Sequence, residues 1–277
     1  MARKTVDRWL RFSWVIAILG VSASLAGLLL DRPYENETRN WQGQAIGQDI
    51  VNLLAFPILV VCATLAKRGS SRAYLVWDGV LAYCTYTFAI YAFSIGFGPL
   101  FLVYVAILGL STYVLIESLI ALDMDSLKAT FSERTPRRST GVFLIVIGGM
   151  FYLLWLSEIL PATLAGEVPP TLREAGLTTN PVYVLDMAFL LPVAILSGAS
   201  LFRQRASGLA FAPVVLTALV FIALGIVSAM IVLGSRGEPA PVGVTVAVGT
   251  LAVVQLGFLV RFLSAARGTT EPPVRTQ

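Results

Sequence analysis

Residues 208–233 read GLAFAPVVLTALVFIALGIVSAMIVL, 26 positions without a single charged side chain. A helix that is apolar on every side belongs inside a large core or inside a bilayer. At about 1.5 Å per residue this one is about 39 Å long, enough to cross the hydrocarbon layer with some tilt. Seven more apolar runs occur, at 12–30, 50–66, 73–95, 99–121, 141–160, 182–202 and 241–260. No alternating pattern of a β-barrel accompanies them. In lipid each backbone amide must be satisfied within its own segment, so each run is expected to be a helix. The sequence therefore predicts an all-α, polytopic transmembrane bundle of eight spans. It forms a single integral membrane domain over 1–277, with a polar loop at 122–140 and a polar tail at 263–277, both without a readable motif.

Composition agrees. The chain has 277 residues, 57% hydrophobic and 13% charged, with a mean hydropathy of +0.80. Soluble domains carry about 25% charged residues, so a soluble enzyme, a disordered chain and a disulfide scaffold are all excluded. There is no His, which removes His-type zinc sites, bis-His haem and the commonest general base. No phosphate-binding G-x-x-x-x-G-K-[ST] loop, H-E-x-x-H or C-x-x-C motif occurs, so an ATP-driven pump, a zinc protease and a dithiol oxidoreductase fit poorly. No cofactor and no metal site is expected. Cys62 and Cys84 lie inside apolar runs, where a thiol acts as a small hydrophobe. The net charge of +4 comes from scattered Lys and Arg, with no basic run of the kind that binds nucleic acid.

Those cations set an orientation. With the N-terminus in the cytoplasm, Arg3, Lys4, Arg8, Arg11, Lys67, Arg68, Arg72, Lys128, Arg134, Arg137, Arg138, Arg203, Arg205, Arg261, Arg267 and Arg275 all fall on the cytoplasmic side, 16 of 20. Only Arg32, Arg39, Arg173 and Arg236 fall outside. The asymmetry obeys the positive-inside rule at every cytoplasmic segment and places both termini in the cytosol. A cleavable signal peptide is the rival for the N-terminal run, with Ser22-Ala23-Ser24 as its small-residue site. The run continues unbroken to Leu30, which favours retention.

The halves 1–121 and 141–262 share a plan: a long external loop (31–48 and 161–181), a basic turn (67–72 and 203–208), and a short external turn with Pro99 or Pro241. Asp49 precedes Pro57, and Asp186 precedes Pro192. A parallel four-plus-four repeat is one of the known transporter plans. The alternative is that any eight-span chain shows loops of similar style. Each proline removes a backbone hydrogen bond at mid-span and tends to kink its helix.

Ionisable groups within a membrane are a functional hypothesis by default. Asp49 and Asp186 open spans 2 and 6 and Glu158 closes span 5, all near the external face. Asp78 and Glu117 lie near the cytoplasmic face, and no acid sits at the midplane. Gln48, Asp49 and Asn52 cluster as polar groups entering a helix, although an Asp there also suits an N-cap. Tyr83 and Tyr86 are three apart and share a helix face; such hydroxyls serve as ligand contacts or as interhelical glue. The candidate ligand-binding residues are Gln48, Asp49, Asn52, Tyr83, Tyr86 and Asp186. Asp78 with Glu117 is a candidate acid pair on the cytoplasmic side. No other catalytic residue is indicated.

Three stretches carry a resemblance. They are Gln48-Asp49, the run from Tyr83 to Tyr91 leading into GPLFLVYVA at 98–106, and NPVYVLD at 180–186 before Pro192. On these the chain resembles a group of uncharacterised bacterial multi-pass membrane proteins, over most of its length through span 6. The resemblance implies a bacterial cytoplasmic membrane and brings no activity with it. The leading expectation is a permease-like bundle, or one handling a lipid or small molecule, with the bilayer and that molecule as its partners. The alternatives are a non-transporting accessory or sensory subunit, and an intramembrane enzyme using Asp78 and Glu117.

Overall fold

The computed structural model describes residues 2–30, 32–266 and 274, with side chains from residue 6 onward. Arg267, Arg275 and most of the tail 263–277 therefore lie outside the described residues, as do the side chains of Arg3 and Lys4. The described residues form helices and connecting turns, with no strand among them. In chain order these are α1 (Ala2–Leu29), α2 (Arg39–Lys67), α3 (Ser71–Ser94), α4 (Phe101–Ala121), α5 (Met124–Thr130), α6 (Arg137–Ala165) and α7 (Pro170–Ala175). They are followed by α8 (Pro181–Leu185), α9 (Leu191–Phe202), α10 (Ala206–Ser235) and α11 (Val242–Ser264).

Among the described residues, seven helical segments are long and apolar enough to cross a membrane: α1, α2, α4, α6, the α8–α9 rod, α10 and α11. Large apolar side chains point outward on them, including Leu102, Ile120, Leu153 and Val253. This suits lipid as the surrounding medium, since only there are exposed apolar side chains not penalised.

The run 73–95 also folds as a helix, the 24-residue α3, but it falls outside that set of seven. Its polar side chains make it less apolar than those seven, and its packing shows where they go. It is flanked by α2, α4 and α10, and Tyr74, Trp77, Asp78, Tyr83, Thr87 and Tyr91 are all buried. A helix enclosed by other helices needs partners for its polar groups, not an apolar coat.

Each half of the bundle closes a ring. α1 packs on α2, α2 on α3, α3 on α4, and α4 returns to α1; α6 packs on α9, α9 on α10, α10 on α11, and α11 returns to α6. The rings join where α10 packs on both α2 and α3, and where α8 meets α3. The second half thus repeats the packing order of the first. The outer loops expected to match in length do not. Residues 30–38 link α1 to α2, whereas 166–180, carrying α7, link α6 to α8.

α2 begins at Arg39, 11 residues before the apolar run. Its first turns, Trp41 to Gln48, are amphipathic and pack on α10 through Gly43 against Leu233 and Gly47 against the Ala229 backbone. Thr38 is the N-cap, its hydroxyl accepting from the Trp41 amide. Asp49 is therefore neither a helix cap nor at the helix opening; it lies about 15 Å along α2.

The segment 122–140 is likewise not a bare loop. It contains α5, whose Leu127 is fully buried and which packs against α10; isolated backbone bridges tie Leu122 to Val274 and Phe131 to Ala266. α1 is built into the core through Trp9 and Ile16, and Gly20 admits the ring of Phe56. Cys62 and Cys84 are both free.

The bundle has a basic end, where α1 begins and where Lys67 and Arg72 lie, and a far end, which carries α7.

Candidate functional site

The α8–α9 rod sets the geometry of the far half. Asn180 caps it by accepting from the Val182 amide, with Pro181 in its first turn. From Asp186 to Leu190 the helix widens to π geometry, and the Leu191 amide donates to the Asp186 carbonyl, five residues back. Pro192 follows at once, without an N–H to give. Single π turns inside helices concentrate at functional positions because they re-aim a side chain. Here the re-aimed group is Asp186. It is buried, and its carboxylate accepts the Tyr86 hydroxyl at 2.9 Å and the Trp155 indole N–H at 2.8 Å. Neither of the two ion pairs among the described residues involves it; they join Arg8 to Glu117 and Lys67 to Asp7.

Asp186 faces a cavity of about 560 Å³. Six elements enclose it: the opening turns of α2, the far half of α3, the middle of α6, the α8–α9 rod, α10 and α11, with Thr171 and Ala175 of α7 across the far end. Its walls are mainly apolar, with Trp41, Tyr86, Tyr91, Trp155 and Tyr183 as an aromatic contribution. Gln44, Gln48, Asp186 and Gln255 are among its polar lining residues. Gln255 is buried, yet its Oε1 has no hydrogen-bond partner. An unpaired buried acceptor costs about 1–3 kcal/mol, so a donor arriving there is favoured.

α6 and α11 form the open side. They meet near the basic end, where Phe143 and Phe258 stack with centroids 4.4 Å apart. Toward the far end they separate, and Leu154 of α6 and Val244 and Val248 of α11 line the cavity between them. Leu154 and Val244 are both exposed. In the first half, α4 packs along α1.

Of the residues singled out in the sequence, Gln48, Tyr86 and Asp186 come together on this cavity. Tyr83 and Asn52 lie behind it: the Gln48 amide donates to the Tyr83 hydroxyl, which donates to Asn52 Oδ1 at 2.8 Å. Asp49 belongs to a separate buried knot. It accepts the Tyr34 hydroxyl at 2.6 Å and the Tyr91 hydroxyl at 3.0 Å. Burial, reinforced by the neighbouring Asp49, pushes the Tyr34 phenol far above its ordinary pKa, so it remains a donor. Glu158, at the far end, accepts from Thr171.

Among the described residues, no hydrogen bond joins Asp78 to Glu117, and each has its own partners. Asp78 is fully buried and accepts the Ser118 hydroxyl at 2.6 Å, while its other oxygen has no partner. Glu117 is half-exposed and ion-paired to Arg8 at 2.7 Å, and it also accepts the Trp9 indole N–H. The two carboxylates therefore have separate partners and separate solvents.

Trp155 and Gln255 are the functional candidates that sequence reasoning missed. Gln255 carried a signal, being the lone amide in the run 241–260. Trp155 carried none, because indoles are common in membrane helices. Among the described residues no group of three or more His, Cys, Asp or Glu could hold a metal ion. Comparison with protein-family models, with curated proteins and with solved structures finds no match to this chain.

Proposed function

We propose that this chain is an integral protein of a bacterial cytoplasmic membrane that accommodates an amphipathic small molecule or lipid in the α6–α11 cavity, in the manner of a permease. The observation that carries this is the cavity itself: about 560 Å³, mainly apolar, with convergent polar groups and one side exposed to the lipid-facing surface. Ligand pockets have this size and lining. A binding site at the interface of internal repeats, formed by an interrupted helix, is the transporter arrangement, and the π-interrupted α8–α9 rod fits it.

In this proposal α3 is an eighth crossing, as long as α11, shielded from lipid by its neighbours. Eight crossings keep 16 of the 20 cations on the cytosolic side, together with both termini. The repeated packing order of the two rings favours a parallel four-plus-four plan.

The test is whether the cavity retains a molecule. Protein extracted in mild detergent and examined by native mass spectrometry should carry a stoichiometric amphiphile. Ala223 is buried on the cavity wall; Ala223→Phe should reduce the bound species several-fold while thermal unfolding stays cooperative. Wild-type protein that is empty throughout, or a variant that binds equally well, would overturn the proposal.

A further inference from the structure

We propose that the molecule taken up by this cavity is an amphiphilic cation, an apolar body bearing a protonated amine, whose head lodges between Asp186, Trp155 and Tyr86. This rests on the ligand-handling role proposed above and names its substrate class.

Charge comes first. Among the described residues Asp186 is the one ionisable acid on the cavity wall, and no Lys or Arg lines it. Its two carboxylate oxygens accept from neutral donors, Tyr86 and Trp155, which orient a negative charge without neutralising it. A buried carboxylate without a counter-cation is costly, and an arriving ammonium supplies that cation. An anionic head would meet an unscreened like charge in the same place.

The walls agree. Trp155 and Tyr183 stand with ring centroids 4.9 Å apart at an interplanar angle of 52°, beside Asp186 on the same cavity. Aromatic faces attract cations through their quadrupole, most strongly when desolvated. Gln255 adds an independent observation, because its buried Oε1 is an acceptor with nothing donating to it. The cavity thus presents acceptors and aromatic faces, and its unused hydrogen-bonding capacity asks for a donor. The apolar body fits the remaining wall of Leu219, Ile222, Val248 and Leu251, reached laterally between α6 and α11.

The experiment uses wild-type protein in phosphatidylcholine nanodiscs and radiolabelled dodecylamine, with empty nanodiscs subtracted. Saturable binding is expected, and dodecanol and dodecanoate should compete at least about tenfold more weakly than unlabelled amine. Asp186→Asn should abolish that preference while dodecanol still binds. If Asp186→Asn does not fold, as judged by thermal unfolding, Trp155→Phe serves instead and should weaken amine binding several-fold with dodecanol unaffected. Dodecanol or dodecanoate competing as well as the amine would overturn the cationic preference and leave the ligand-handling role standing. No saturable binding of any of the three would overturn both.

Discussion

Asp49 and Asp186 look alike in the sequence, each an acid upstream of a mid-span proline, yet they do different work. Asp49 is enclosed by Tyr34 and Tyr91 and ties α2 to α3 and to the connection between α1 and α2. Asp186 has an open side toward the cavity. The difference gives a prediction for Gly27, which lies against Asp49 and Tyr34. Any β-carbon there must push the carboxylate off its two hydroxyls. Gly27→Ala should destabilise the protein by about 1–3 kcal/mol in denaturant or thermal unfolding. Gly149→Ala, with nothing near its β-position, should change stability little and serves as the control. Both acids were legible in the sequence, because a carboxylate in an apolar run is costly enough to be rare. Their division of labour was not, since Tyr34, Trp155 and Tyr86 reach them from other elements.

At the scale of elements, eight apolar runs became eight long helical segments, seven of them apolar enough to cross a membrane, where a helix satisfies its own amides. What the runs concealed is where a helix outlasts its apolar stretch. α2 extends back through Gln42, Gln44 and Gln48 since that part packs on α10 rather than facing lipid. α5 escaped notice because seven residues show too little periodicity. The π stretch at 186–190 is the element on which the site depends. Pro192 hinted at an irregularity there without fixing its kind.

Deleting Ala188, which is exposed, should convert the stretch to regular α-helix and rotate Asp186 by about 100° relative to α9. The expected outcome is a folded protein that no longer retains an amphiphile in native mass spectrometry. Retention at the wild-type level would show that the π turn does not set the site.

For the whole molecule, the two rings of four helices place α3, with its buried polar side chains, and the apolar helix α10 side by side. Both helices line the cavity. The first ring fills its interior with aromatic side chains, as where Phe88, Tyr91 and Tyr104 pack together. In the second, α6 and α11 diverge and leave space. Neither the ring order nor the gap is legible along the chain, because both arise from contacts between segments far apart in sequence.

Everything functional rests on α3 crossing the bilayer, since Tyr86 must approach Asp186 from that helix. The direct measurement is cysteine labelling in intact cells, in a Cys62→Ala, Cys84→Ala background. Single cysteines replace Arg68 before α3 and Phe97 after it, both exposed. A membrane-impermeant maleimide should label position 97 in intact cells and position 68 only after permeabilisation. Labelling of both positions from the same side would contradict the crossing, and with it the cavity as a membrane-embedded site.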